Sequence, residues 1–312
     1  MSYFTIITPM YNRASTIRRA VESCLAQTDP DFELLVVDDG SNDDSAAIVT
    51  AYDDRRIRLL RHARNRGPCP ARNTAIAEAR GVWCVMVDSD FALIPHALER
   101  LRARTGEAAP DVGNVASSCE WDKSGRITPL PSAPTRVLDF PAYLRWVSSI
   151  AVSEKLECIR RAVFADIRYP DSRAWEFEFH LDLCSRWKVE ISNEVLVRIY
   201  TDAPNRLTAG AGREAVIRVL RDAPDKLVSF ERALRRHGDS LCRWAPELYD
   251  YLAILAATQA TYIGKRCLAL HHIGGVLRRR PLSPAGWAAA GLALLGSRIA
   301  AWTTVQRRRR RA

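Results

Sequence analysis

The first hundred residues alternate between short unbroken apolar runs and longer stretches where apolar residues recur every three or four positions. Phe4-Thr5-Ile6-Ile7-Thr8, stopped by Pro9, predicts a buried strand. From Ala14 to Gln27, Ile17, Ala20, Val21, Cys24 and Leu25 fall on one helical face. Phe32 to Val37 predicts a second strand, Ser45 to Tyr52 a short helix and Ile57 to Leu60 a third strand. Pro70 to Arg80 reads as a helix with proline in its first turn, and Val82 to Val87 as a fourth strand. Alternating strands and helices with continuously apolar strands predict an α/β fold: a mostly parallel sheet flanked by helices.

Later segments read less regularly. Residues 105–140 are rich in Pro, Ser and Gly and carry no clear period. Helices are expected over 142–150 and 173–187 and a strand over 194–200; from 213 the pattern is helical, roughly 213–222, 225–237 and 243–260.

In sheets of this kind ligands bind beyond the C-terminal ends of the strands. Three polar clusters fall at those ends: Thr8-Pro9-Met10-Tyr11-Asn12, Asp38-Asp39-Gly40-Ser41 and Asp88-Ser89-Asp90. Two carboxylates two residues apart, leaving a core strand, can converge on one hard cation such as Mg²⁺ or Mn²⁺. Asp38-Asp39-Gly40-Ser41 suits a tight turn whose carboxylate reads a base or ribose, or equally a turn that caps the next helix.

Charge changes the picture at one end only. The 312-residue chain carries a formal +10, yet residues 261–312 hold eleven Lys and Arg and no Asp or Glu, so the first 260 residues are close to neutral. The eight cysteines are scattered without a CxxC pair, which argues against a zinc ribbon or redox pair and for reduced thiols of a cytoplasmic protein. The N-terminus lacks the pattern of a secretory signal.

Taken together, ITPMYNR, ELLVVDDGSNDDS and NRGPCPARNTAIAEARGVWCVMVDSD resemble the nucleotide-binding half of family 2 glycosyltransferases of the GT-A, Rossmann-like fold, with a looser resemblance to about residue 208. The resemblance implies an inverting, hexosyltransferase-type enzyme of cell-envelope polysaccharide synthesis, taking a sugar from a nucleotide diphosphate, most often UDP, to a hydroxyl of a glycan or lipid-linked glycan. It implies that Thr8, Pro9 and Tyr11 wrap the base and ribose and that Asp39 bonds the base. Residues 67–72 would close over the base, Arg72 and Asn73 would lie near ribose and diphosphate, Asp88 near ribose and metal, and Asp90 on the Mn²⁺ or Mg²⁺ itself.

The general base is expected in Ala174-Trp175-Glu176-Phe177-Glu178, where the family has an acidic pair opening a helix. The best register makes Glu176 the base, a Glu where the family has Asp; Glu178 is the rival, about 200° away on a helix. Trp175 beside them is the tryptophan best placed to stack on a sugar. Asp202 stands where many relatives have a metal-reaching His, and His180 is the other candidate for a further metal ligand.

The domain reading is a GT-A domain over 1–210, divided at about 105 into nucleotide and acceptor halves, a helical extension over 211–264 and a basic tail over 265–312. Within the tail, an apolar stretch from Pro284 to Val305 contains Trp287 and Trp302 and is flanked by Arg278-Arg279-Arg280 and by Arg307 to Arg311. With Arg298 inside, it suits an interfacial helix better than a span, which predicts a cytoplasmic enzyme peripheral on the inner face of the plasma membrane and held by anionic lipid. No base-reading pattern accompanies the arginines, so nucleic acid is not an expected partner. Two other classes remain: a non-catalytic nucleotide-sugar or glycan-binding protein of the same fold, and a sugar nucleotidyltransferase, which the Thr8 to Arg13 loop disfavours because it lacks the Gly-rich, basic character of such enzymes.

Overall fold

The computed structural model describes residues 2–129, 135–150, 154–171, 173, 176–202 and 213–295. The chain divides into two compact units, Met1–Ser172 with Phe179–Pro204, and Arg173–Glu178 with Asn205–Ala312.

The first unit opens as the periodicity predicts: β1 (Phe4–Met10), α1 (Ile17–Leu25), β2 (Phe32–Asp38), α2 (Ser45–Thr50), β3 (Ile57–Arg61), α3 (Pro68–Glu78) and β4 (Trp83–Met86). It continues through β5 (Phe91–Leu93), α4 (Ala97–Glu107), β6 (Val112–Trp121), β7 (Ile127–Thr128), β8 (Arg136–Leu138), α5 (Phe140–Ile150), β9 (Leu156–Arg160), α6 (Phe177–Cys184) and β10 (Lys188–Ile199). Among the described residues the sheet runs β3-β2-β1-β4-β9-β6-β10-β5, with β7 on β6 and β8 on β10. Strands β3, β2, β1 and β4 are parallel, so their C-terminal ends share one rim. Strand β9 runs antiparallel between β4 and β6.

β1, β2 and β4 are buried along their length and mostly apolar because both faces are covered, and among the polar exceptions Thr5 and Glu33 bond each other; Phe4, Ile6, Leu34, Val36, Trp83 and Val85 are all buried in one core. Strand β6 departs from the expectation of an irregular 105–140. Its Gly113-Asn114-Val115-Ala116-Ser117-Ser118 reads as loop, yet it pairs with β9 on one side and β10 on the other. Small side chains are what a strand hemmed in on all sides accommodates: a Cβ on Gly113 would come within 2.6 Å of Trp187. Six cysteines are buried, while Cys242 and Cys267 are exposed; none of the eight forms a disulfide.

In the second unit α7 (Arg213–Trp244), α8 (Pro246–Tyr262), α9 (Arg266–Arg279) and α10 (Pro284–Leu295) follow one another. Helix α7 runs unbroken through Pro224, where the sequence pattern suggested two helices. Val219 and Ala223 of α7 pack on Tyr262 of α8, and Leu292 of α10 joins them. Two of these helices lie within the stretch expected as a basic tail. Among the described residues no helix is long and apolar enough to cross a membrane. Arg298 and Arg307 to Arg311 lie outside the described residues, as does Trp175.

Candidate functional site

Three loops meet at the parallel rim of the first unit. The first leaves β1 through Asn12, whose φ of +52° is a left-handed conformation that asparagine tolerates better than most residues. The Asn12 amide donates to Ser41 Oγ (3.0 Å), and the Asn42 amide donates back to Asn12 Oδ1 (2.9 Å). Thr8 and Pro9 are buried just before this turn, and Tyr11 is the exposed side chain of the loop.

The second loop follows β2. Asp38 turns inward, accepting from the Ser41 amide (2.9 Å) and from Arg61 Nε (3.1 Å). Asp39, 3% exposed, accepts from the backbone amides of Arg66 (2.9 and 3.0 Å) and Gly67 (2.7 Å). Its Oδ1 also lies 2.7 Å from His62 Nδ1, and the far side of that imidazole meets Thr74 Oγ1 at 2.9 Å. Asp39 is therefore the latch that holds the segment before α3 against the rim. Glycine is required on both sides of it. Gly40 has φ +77° and a Cβ there would sit 2.8 Å from the Arg64 backbone; Gly67 has φ +106°.

Helix α3 starts at this latch and presents Arg72 to the third loop. Arg72 Nη2 donates to Asp88 Oδ1 across 2.7 Å, with the arginine side chain 8% exposed and the carboxylate 36%. The guanidinium also lies over the ring of Tyr169, 5.5 Å from its centroid. Asn73 gives its carboxamide to the same segment: Nδ2 donates to Tyr169 O (2.9 Å) and Oδ1 accepts from the Tyr169 amide (3.1 Å). Tyr169 in turn stacks on Phe179 of α6 at 3.9 Å. Asp90, half-buried, closes the rim, its carbonyl accepting from the Tyr200 amide (2.9 Å).

Thus Tyr11, Asp39, Arg72, Asp88 and Asp90 belong to one rim. Two other expected groups have different surroundings. Asp202 binds both its oxygens to Arg19 (2.8 and 2.9 Å), which also stacks on Tyr200 at 3.6 Å. That hydrogen-bonded pairing holds the Asp202 carboxyl below its usual range. His180 is buried with its Nδ1 3.4 Å from Glu157 Oε1, in a group that also contains Lys155 and Asn114. Burial pushes His180 down to about 4, with Glu157 opposing and Lys155 and Arg72 assisting, so the ring is neutral at pH 7.

The two carboxylates proposed as base belong to the second unit. Glu176 is half-buried in the turn before α6. Glu178 is 5% exposed and lies 3.5 Å from Arg236 and 4.0 Å from Arg232 of α7.

His62, Thr74, Tyr169, Lys155 and Glu157 were not singled out from the sequence. His62 and Thr74 lie in unremarkable stretches, and Tyr169 is distant in sequence from Arg72. The register opposing Met86 and Glu157 across β4 and β9 is what brings the Lys155 strand to this rim.

Among the described residues no group of three or more His, Cys, Asp or Glu side chains forms a cage for a metal ion. Two carboxylates at one strand end nevertheless fit Mg²⁺ or Mn²⁺, which bind through one or two protein carboxylates and complete their shell with phosphate oxygens and water.

Residues 5–128 match the model of Glycosyl transferase family 2. The chain is 44% identical over 108 residues to the succinoglycan biosynthesis protein ExoO of Rhizobium meliloti, covering 35% of this chain and 31% of that one. It is 41% identical over 95 residues to the UDP-Glc:alpha-D-GlcNAc-diphosphoundecaprenol beta-1,3-glucosyltransferase WfgD of Escherichia coli, covering 30% and 38%. The matched stretch is thus about a third of either relative. Among solved structures, S. aureus TarS 1–349 in complex with UDP-GlcNAc superposes with a TM-score of 0.60 at 18% identity, over 98% of this chain and 92% of that one. The mannosyltransferase PcManGT from Pyrobaculum calidifontis, in complex with GDP-Man and Mn²⁺, gives 0.51 at 20% identity, over 97% and 87%. At such identities the likeness is one of fold, the GT-A arrangement expected from the sequence. By the matched domain, the three strand-end loops and the sheet that carries them, residues 5–128 are similar to glycosyl transferase family 2.

Proposed function

We propose that the protein is an inverting glycosyltransferase that moves a sugar from a nucleotide diphosphate, a UDP-sugar, to a hydroxyl of a glycan or lipid-linked glycan. The observation that carries this reading is the Arg72–Asp88 pair beside Asp90, at the strand end where an Asp39-latched loop meets the Tyr11 turn. Tyr11 offers an exposed aromatic face for a base, and the latched segment supplies a pre-set wall. UDP-GlcNAc in TarS and the UDP-Glc and diphosphoundecaprenol in the name of WfgD make uridine and a lipid-linked acceptor the first choices.

In the proposed reaction Glu176 removes the proton from the acceptor hydroxyl, whose oxygen attacks the anomeric carbon as the nucleoside diphosphate departs from the opposite face. The single displacement inverts the anomeric centre. Arg72, held by Asp88, faces the departing diphosphate with a fixed positive charge. Asp90, with Asp88, would hold a divalent ion, which supplies further neutralisation of the leaving group when bound. Glu178, the rival for the base, lies beside the α7 arginines. The basic C-terminal segment would meet an anionic membrane surface, placing the enzyme peripherally where lipid-linked acceptors reside.

A panel of nucleotide sugars, each with Mn²⁺ and with chelator, tests the reading by thermal shift and by release of free nucleotide. One donor that stabilises the fold only with metal, and is turned over on adding a lipid-linked glycan, is the expected result. Stabilisation by none of the donors would defeat the proposal; binding without turnover would favour a non-catalytic sugar-nucleotide binder.

A further inference from the structure

Helix α10 keeps its small residues and Leu292 inside and its other large apolar residues outside. Gly286, Ala289 and Ala293 form the buried face, and a Cβ on Gly286 would come 2.9 Å from Leu277 of α9. Outward point Trp287 (60% exposed), Leu294 (71%) and Leu295 (56%), and Leu282 in the preceding turn is 91% exposed. Trp287 Nε1 donates to Pro281 O across 2.8 Å, which ties the indole to that turn. No charged residue occurs between Arg280 and Arg298. A helix bathed in water carries charges on its outer face; this one carries none.

The surroundings are cationic. Arg278, Arg279 and Arg280 are exposed at the end of α9, Arg279 and Arg280 paired there with Asp250 and Glu247 of α8, and Lys265 and Arg266 are exposed at its start. Beyond Asp250 the chain has no Asp or Glu at all. Arg298 follows this apolar stretch in the sequence, which suits a helix lying in the interface better than one crossing the bilayer core. A second copy is the poorer occupant, because a self-complementary contact would set these cations against one another.

We propose that α10 is an interfacial anchor: Leu282, Trp287, Leu294 and Leu295 seat between the headgroups and acyl chains of an anionic bilayer, with the exposed Arg278 on a lipid phosphate. This rests on the membrane reading above and adds to it that apolar insertion, and not charge alone, holds the protein to lipid.

The test is co-sedimentation of the full chain with phosphatidylglycerol-containing vesicles and with phosphatidylcholine vesicles. The expected result is binding to the anionic vesicles only, weakened about tenfold or more in the double variant Leu294→Glu, Leu295→Glu. Both positions are exposed, so the variant should keep the wild-type melting temperature and donor binding. Anionic-vesicle binding that the double variant leaves unchanged would overturn the anchor while leaving the electrostatic reading standing. Absence of binding to either vesicle would overturn both. A dimer in solution that the double variant converts to monomer would assign the face to a second copy and overturn the anchor.

Discussion

Arg72, in the first half of α3, donates to Asp88 at the exit of β4 across 2.7 Å, joining the latched loop to the DSD turn through a nearly buried guanidinium. Removing the cation takes from Asp88 its hydrogen-bonded ion-pair partner. Arg72→Met should weaken nucleotide-sugar binding at least tenfold and cost about 1–2 kcal/mol of stability, discounted because Asp88 opens to solvent. Calorimetric titration and denaturant unfolding measure the two effects, and a variant that binds donor normally would show that Arg72 is purely structural.

Asp39→Asn replaces an acceptor oxygen by an NH₂ that opposes the Arg66 or Gly67 amide. The loss should be about 2–3 kcal/mol, as for a buried charge-assisted bond left unmade. It should appear locally: hydrogen exchange at 62–68 should quicken while β1 and β2 stay protected. Uniform loss of protection would mean that the carboxylate supports the whole sheet instead of the loop.

Asp90 lies half-open at the rim, so its removal should spare the fold. Asp90→Ala is expected to melt near the wild type yet lose the metal-dependent part of donor stabilisation. Retention of that stabilisation in full would exclude Asp90 as the ligand.

Glu176 and Glu178 should separate cleanly. Glu176→Gln is expected to reduce transfer about 10²–10⁴-fold, the usual worth of a general base, while donor binding is kept. Glu178→Gln should do the opposite, lowering stability through its arginine partners more than it lowers kcat.

His180 sets a pH dependence of stability. Its folded value of about 4 lies below the 6.5 of a free imidazole, so the unfolded chain binds the proton more readily. Stability is complete above pH 6.5 and falls as the pH drops toward 4, by about 3 kcal/mol at the lower end. Glu157, held below its usual range against the cost of its burial by His180 and Lys155, adds loss in the same direction. His180→Gln should flatten the decline in melting temperature across that window, and an unaltered slope would assign the acid sensitivity elsewhere.

The parallel half of the sheet was legible in the chain because β1, β2 and β4 are covered on both faces, and a doubly covered strand must be apolar at nearly every position. Strand-end turns were legible for a related reason: Asp39-Gly40 and Asp88-Ser89-Asp90 interrupt such runs abruptly. The antiparallel half was hidden. Strand β6 is built from Gly, Asn, Ala and Ser, whose local preference is for loops, and it is a strand because β9 and β10 satisfy its backbone on both edges.

What the sequence determined by itself, then, is which residues stand at the rim, since an apolar run and the polar turn that breaks it need only neighbours to be read. What tertiary structure alone decided is whom they face: Asp39 the Gly67 amide, Arg72 the Asp88 carboxylate, Asp202 the Arg19 guanidinium, Glu178 the α7 arginines. Those pairings join residues 16 to 183 positions apart. They arise from how strands and helices pack, which no local period encodes.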